Sequence, residues 1–277
     1  MKKHIKLSFL VAVFSLVLTM VGAQIQISRE VLYKLPPEVS YGLLGMRVSA
    51  GQVVFMNNLG KILRYNLETS EAFKGKIRGR RIVDFDLILG QPVFIDEEGK
   101  LGGQIKPEWP ERSYSSCVIE AGDQGLLLTG GSKMIFLGHN ATSTVEVEGI
   151  NFALPLRDGF VWALGLKKLT GPWTLALFDC YGNLMKSIYD FSPAFDPAGI
   201  ELGPLGEEDE ALISAYENNT RKLMLIGSNG HMIWKIDAPD KFCRRDVAFD
   251  GQGNLLILEK IDNQVVLSRW KFAAPQG

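Results

Sequence analysis

The segment Cys243-Arg-Arg-Asp-Val-Ala-Phe-Asp250-Gly-Gln-Gly-Asn-Leu-Leu-Ile-Leu258-Glu-Lys-Ile-Asp-Asn-Gln-Val-Val-Leu-Ser-Arg-Trp-Lys-Phe272 reads as three short strands joined by two tight turns. Val247–Phe249 is apolar and β-favouring. Asp250-Gly-Gln-Gly-Asn254 is turn chemistry, with glycines able to take positive φ. Residues 255–258 are apolar without a break, Asp262-Asn263 makes the second turn, and 265–270 is the third strand.

Weaker copies of this unit run through the chain. Its apolar second strand recurs at Val53-Val-Phe-Met56, Pro92-Val-Phe-Ile95, Leu126-Leu-Leu-Thr129, Phe160-Val-Trp-Ala163, Ala211-Leu-Ile-Ser214 and Leu255-Leu-Ile-Leu258. The interval is irregular and close to roughly forty residues, the signature of propeller blades with four short strands each. First strands are expected near 42–48, 81–87, 114–119, 152–156, 200–205 and 245–249, and third strands near 62–65, 100–105, 133–137, 173–178, 222–226 and 265–270. Fourth strands are clearest at 183–188 after Tyr181-Gly182, at 231–236 after Asn229-Gly230, and at 143–147. The expectation is an all-β, six-bladed propeller, with seven blades as the other count. The last repeat lacks a fourth strand. Gln24-Ile-Gln-Ile27 and Val31-Leu-Tyr-Lys-Leu35 are both strand-like, and either would close the ring and remove two exposed edges.

Residues 1–23 are read as a secretory signal peptide. Met1-Lys-Lys-His-Ile-Lys6 is a basic start, 7–21 is an apolar or small run, and Val21-Gly22-Ala23 offers a cleavage site. Residues 24–277 are then one propeller domain, exported to the periplasm or outside the cell. The net charge of −1 supplies no field that would draw nucleic acid. Cys117, Cys180 and Cys243 are too few and too widely spaced for a disulfide framework.

Over 245–272 the unit resembles an NHL repeat, on Val247-Ala-Phe-Asp250, Gly253-Asn254, Leu256-Ile-Leu258, Asn263 and Val265. The family's usual Ala-Asp after the second strand is here Leu258-Glu259, and its common Arg before the third strand is Gln264. The resemblance implies a six-bladed propeller and leaves the chemistry to be argued from a site.

Histidine is scarce: His139 falls at a turn and His231 on an outer strand, which argues against a His-rich metal site or a triad. No Gly-x-Ser-x-Gly elbow occurs, and Gly130-Gly-Ser-Lys133 lacks the spacing of a phosphate loop. First strands line a propeller's channel, so their charges carry more weight. Asp84 and Asp86 alternate with Val83 and Phe85 and share a face, and Arg81, Arg245 and Asp246 hold matching places in the second and sixth repeats. Two expectations follow. Asp–Arg pairs neutralise the channel, or Asp84, Asp86 and Asp246 hold Ca²⁺ as in lactonase-like propellers, although the Glu-Gly-Pro opening of those proteins is absent.

Trp109 and Trp173, beside prolines, are expected on a binding face, while Trp162, Trp234 and Trp270 belong to the core. Residues 74–81 form a basic loop and 190–199 a Pro-rich one. The functional expectation is a monomeric, non-catalytic, cofactor-free binding module that presents its loop face to a protein, peptide or glycan in the cell envelope. A metal-assisted hydrolase or lyase acting through the channel carboxylates is the alternative.

Overall fold

A computed structural model describes residues 14–19, 24–77, 79, 81–103, 113–114, 117–122, 125–130, 133–138, 144–156, 161–166, 173–179, 181–192, 194–206, 208–238 and 244–273. These residues form six small antiparallel sheets arranged as a six-bladed β-propeller. The seven-blade count is thereby set aside. Blade I comprises Leu43–Ser49, Gln52–Asn57, Lys61–Asn66 and Ala72–Lys76. Blade II shows three strands among the described residues, Ile82–Ile88, Gln91–Asp96 and Leu101–Gly103. Blade III is Val118–Gly122, Gly125–Gly130, Lys133–Gly138 and Thr144–Glu148. Blade IV is Ile150–Pro155, Val161–Leu166, Trp173–Phe178 and Leu184–Asp190. Blade V is Phe195–Leu205, Ala211–Glu217, Thr220–Ile226 and Met232–Asp237.

Blade VI joins the two ends of the chain. Val247–Phe249, Leu255–Ile261 and Gln264–Ala273 come from the C-terminal end, and Gln24–Lys34 adds the outer strand by pairing antiparallel with the last of them. Both strand-like N-terminal stretches therefore belong to one strand, with a register shift between Val31 and Tyr33. Phe14–Thr19, inside the expected leader, pairs in turn with residues 24–29 as a fifth strand. Cleavage after Ala23 would remove that strand and leave the four usual for a blade.

The apolar second strands have a simple cause. A blade is packed on both faces, so both sets of alternating side chains are buried. Val53 and Phe55 pack toward blade VI, whereas Val54 and Met56 pack toward blade II. Leu255 and Ile257 face blade V, and Leu256 and Leu258 face blade I. Each of the six interfaces between neighbouring blades holds its own apolar cluster.

A repeated turn fixes the hairpins. In Asn57-Asn-Leu-Gly-Lys61, Asp96-Glu-Glu-Gly-Lys100, Asp179-Cys-Tyr-Gly-Asn183 and Asp250-Gly-Gln-Gly-Asn254, the Oδ1 of the first residue accepts N–H groups two and four positions on. The glycine at the fourth position has φ between 72° and 80° in all four, a region that costs other residues strain.

Candidate functional site: the axial cavity

The first strands of consecutive blades touch one another around the ring, Val247–Phe249 meeting Leu43–Ser49 to complete it. They enclose an axial cavity of about 480 Å³ with lining residues from all six blades. It opens beside first-to-second-strand turns such as 49–51 and 249–251.

One side of the cavity is charged. Arg245 enters from the 3-10 turn Arg244–Asp246 that precedes the first strand of blade VI. It can approach because position 45 in blade I is glycine, at φ 127°; a Cβ there would lie 2.5 Å from the Arg245 carbonyl oxygen. The Arg245 guanidinium pairs with Asp84 of blade II, reaches Glu120 of blade III at 2.7 Å, and donates to the Ile119 carbonyl at 3.1 Å. Arg47 of blade I lies 3.1 Å from Asp86 through Nε and 3.8 Å from Asp84 through Nη2, with its guanidinium 5.0 Å from the Phe85 ring centroid. Backbone groups complete the set: Ile119 N–H donates to Asp84 at 2.8 Å, and Ala121 N–H and Leu87 N–H donate to Asp86 at 2.7 and 2.8 Å. Four blades are thus tied by one cluster of three carboxylates and two guanidiniums.

Within this cluster, burial acts most on Asp86 and Arg245. It pushes the Asp86 carboxyl up to about 6, against the pull of Arg47 and Arg245 and with added repulsion from Glu120. Burial also works against the Arg245 charge, but the carboxylates of Asp84, Glu120 and Asp86 outweigh it and hold that guanidinium above its ordinary value. The other side of the cavity is apolar, lined by Leu154 and Pro155 of blade IV and Leu202 and Leu205 of blade V.

The structure gathers three of the residues singled out in the sequence, Asp84, Asp86 and Arg245. Arg81 is exposed, just outside the first strand of blade II. Asp246 does not join the cluster as a ligand: burial, and secondarily Glu201 of blade V, push its carboxyl up to about 6. Asp84, Asp86 and Asp246 therefore form no shared metal-ligand group among the described residues. Asp84 is paired with Arg245, and Asp86 with Arg47. Trp109, Cys180, Cys243 and His139 lie outside the described residues.

Two members were missed, Arg47 and Glu120. Each is a single charge between apolar neighbours, Met46-Arg47-Val48 and Ile119-Glu120-Ala121, and that interruption of a first strand was the available signal. Trp173 opens the strand Trp173–Phe178, as expected for 173–178, rather than lying in a loop, and its ring is 6.5 Å from that of Phe152. Phe191 and Phe195, within the expected Pro-rich loop, are core residues in edge-to-face contact at 5.5 Å. Trp162 is fully buried and donates from Nε1 to the Asp209 carbonyl at 2.7 Å.

Comparison with known proteins fits this architecture. No protein-family model matches the chain, and no curated protein matches it. Among solved structures it is similar to a streptogramin B lyase, with a TM-score of 0.58, 13% identity, and coverage of 89% of this chain and 98% of that one. It is similar to virginiamycin B lyase from Staphylococcus aureus, with a TM-score of 0.54, 13% identity, and coverage of 94% and 99%. It also resembles the extracellular domain of a putative one-component system from B. thetaiotaomicron, with a TM-score of 0.51 and 13% identity, over 81% of this chain and 32% of that one. The class defined is the six-bladed β-propeller. At these identities the likeness is one of fold, and the neighbours include both an enzyme and an extracellular domain. No helix among the described residues is long and apolar enough to cross a membrane.

Proposed function

We propose that the protein is an exported, non-catalytic, metal-free propeller that acts as a binding module in the cell envelope. Its partner is a protein, peptide or glycan, and the mouth of the axial cavity is the binding face. One observation carries this reading: a cavity of about 480 Å³ lies over a charge cluster whose carboxylates are already engaged by Arg47, Arg245 and backbone N–H groups. Such a site presents shape and charge without a displaceable nucleophile or an open metal position. The leader-like sequence of residues 1–23 supports export, and the pattern over 245–272 supports an NHL-like sixth blade.

Expression of the full chain in a bacterium, with fractionation and N-terminal sequencing, tests export. The expected result is an envelope or secreted species beginning at Gln24; a retained, full-length cytosolic chain would overturn it. The binding role is tested by titrating candidate peptides and glycans against the protein and against Leu205→Trp, which narrows the cavity. Binding that ignores this substitution would move the face elsewhere.

A second reading has one observation in its favour. A carboxyl raised to about 6 beside a cavity, as at Asp86, is suited to general acid–base work. The metal-assisted hydrolase or lyase reading would gain from Ca²⁺-dependent turnover of a lactone or ester that Asp86→Asn abolishes.

A further inference from the structure

The two sides of the axial cavity define a polarity for whatever enters it. Leu154, Pro155 and Leu205 offer an apolar wall, while Asp86 and Glu120 place carboxylates at the charged end. The arginines at that end are turned to the protein. Arg47 donates from Nη1 to the Met46 carbonyl at 2.7 Å and faces Asp86 and Asp84, and Arg245 serves Asp84, Glu120 and the Ile119 carbonyl. The Nε atoms of both have no solvent-accessible surface to offer a ligand. Asp250 at the rim is held by Arg269 at 3.0 Å and by its own turn.

Asp86 has acceptor capacity left. Its oxygens accept two backbone N–H groups and face one guanidinium edge, whereas an ionised carboxylate has about four acceptor sites. Local positive charge is too little to offset its burial, with Asp84, Glu120, Arg47 and Arg245 all close by. An added cation would lower that cost, and a cation on an apolar stem would also cover the wall of Leu154 and Leu205.

We propose that the axial cavity binds an alkylammonium group, its ammonium hydrogen-bonded to Asp86 and its chain against Leu154, Pro155 and Leu205. This rests on the binding-module reading and names the chemistry of its ligand. A free alkylamine and a lysine side chain of a peptide share that chemistry.

Calorimetric titration of the purified protein with n-hexylammonium, n-hexanoate, n-hexanol, and a terminally blocked Gly-Lys-Gly peptide with its Nε-acetylated form tests the proposal. The expected result is saturable binding of hexylammonium, of the lysine peptide, or of both, and none of hexanoate, hexanol or the acetylated peptide. Preference between the first two identifies the source. Because an ammonium stays protonated where Asp86 titrates, the affinity is expected to fall as pH drops below about 6, with proton release on binding near that pH. Asp86→Asn is expected to weaken binding at least tenfold. Leu205→Trp is a second probe that leaves the charge cluster intact and is expected to abolish binding in a protein with the native circular dichroism spectrum. Binding unaffected by Leu205→Trp, or independent of pH across this range, overturns the proposal. Binding of hexanoate or hexanol in place of the ammonium overturns the ligand class and leaves the cavity as a binding site. No binding of any probe, with partner binding that Leu205→Trp does not alter, overturns the cavity reading as well.

Discussion

The two halves of the axial cavity differ although the same kind of strand builds both. Blades I, II, III and VI send Arg47, Asp84, Asp86, Glu120 and Arg245 toward the axis, while blades IV and V line it with Leu154, Pro155 and Leu205. Among the described residues lining the cavity, blades IV and V contribute no charged side chain, although Glu201 of blade V lies near Asp246. Replacing a buried ion cluster by apolar groups is often neutral or stabilising, whereas removing one partner is costly. In the proposed binding role, the charged half is the part that recognises the ligand.

The comparison can be broken at several places, in decreasing order of effect. Deleting residues 24–35 removes the outer strand of blade VI, along with the buried Ile27 and Leu35, and leaves Gln264–Ala273 with a bare edge. This is expected to abolish cooperative unfolding, as followed by circular dichroism on heating. Arg245→Met strips the charged half of its central cation and leaves Asp84 and Glu120 buried without it. A loss of about 3–5 kcal/mol is expected in urea unfolding. On the apolar half, Leu202→Ala leaves a gap in the cluster between blades IV and V and is expected to cost about 2–5 kcal/mol by the same measurement.

The pH response sharpens the contrast further. Asp86 and Asp246 both have folded-state values of about 6, above those of an unfolded chain. The native state then binds more protons than the unfolded one between roughly pH 4 and 6, so their contribution to stability grows as pH falls and is lost as it rises past about 6. The melting temperature is expected to be higher near pH 5 than near pH 7, and Asp86→Asn is expected to flatten that difference. Arg81→Ala, outside the cluster, should change stability by no more than about 0.5 kcal/mol.

Legibility in the sequence follows burial. The second strands can be read because both their faces are buried, which makes a run such as Leu126-Leu-Leu apolar at every residue. The outer strand Ala72–Lys76 is exposed throughout and carries no such pattern, so in the sequence it merges with a basic loop. Phe195–Leu205 is obscured by Pro197 and Pro204. The strand accommodates both through register shifts, between Asp196 and Glu201 and between Leu202 and Leu205. In the site, Asp84 and Asp86 are legible because they alternate on one strand. Arg47 and Glu120 are not, because each is alone on its strand and acquires partners only when the ring closes. The Asx-x-x-Gly turn, present in four blades, is a sharper marker of the strand boundaries than the apolar runs are.

Thermal melting of the purified protein, before EDTA treatment, after it, and with Ca²⁺ restored, tests the central claim most directly. A metal bound only by the folded state at a hundredfold excess over Kd stabilises by ~2.7 kcal/mol, an easily measured shift. With guanidiniums already beside Asp84 and Asp86, the account predicts coincident curves in all three states. A loss of stability on chelation that Ca²⁺ reverses would contradict it and make the channel carboxylates a metal site.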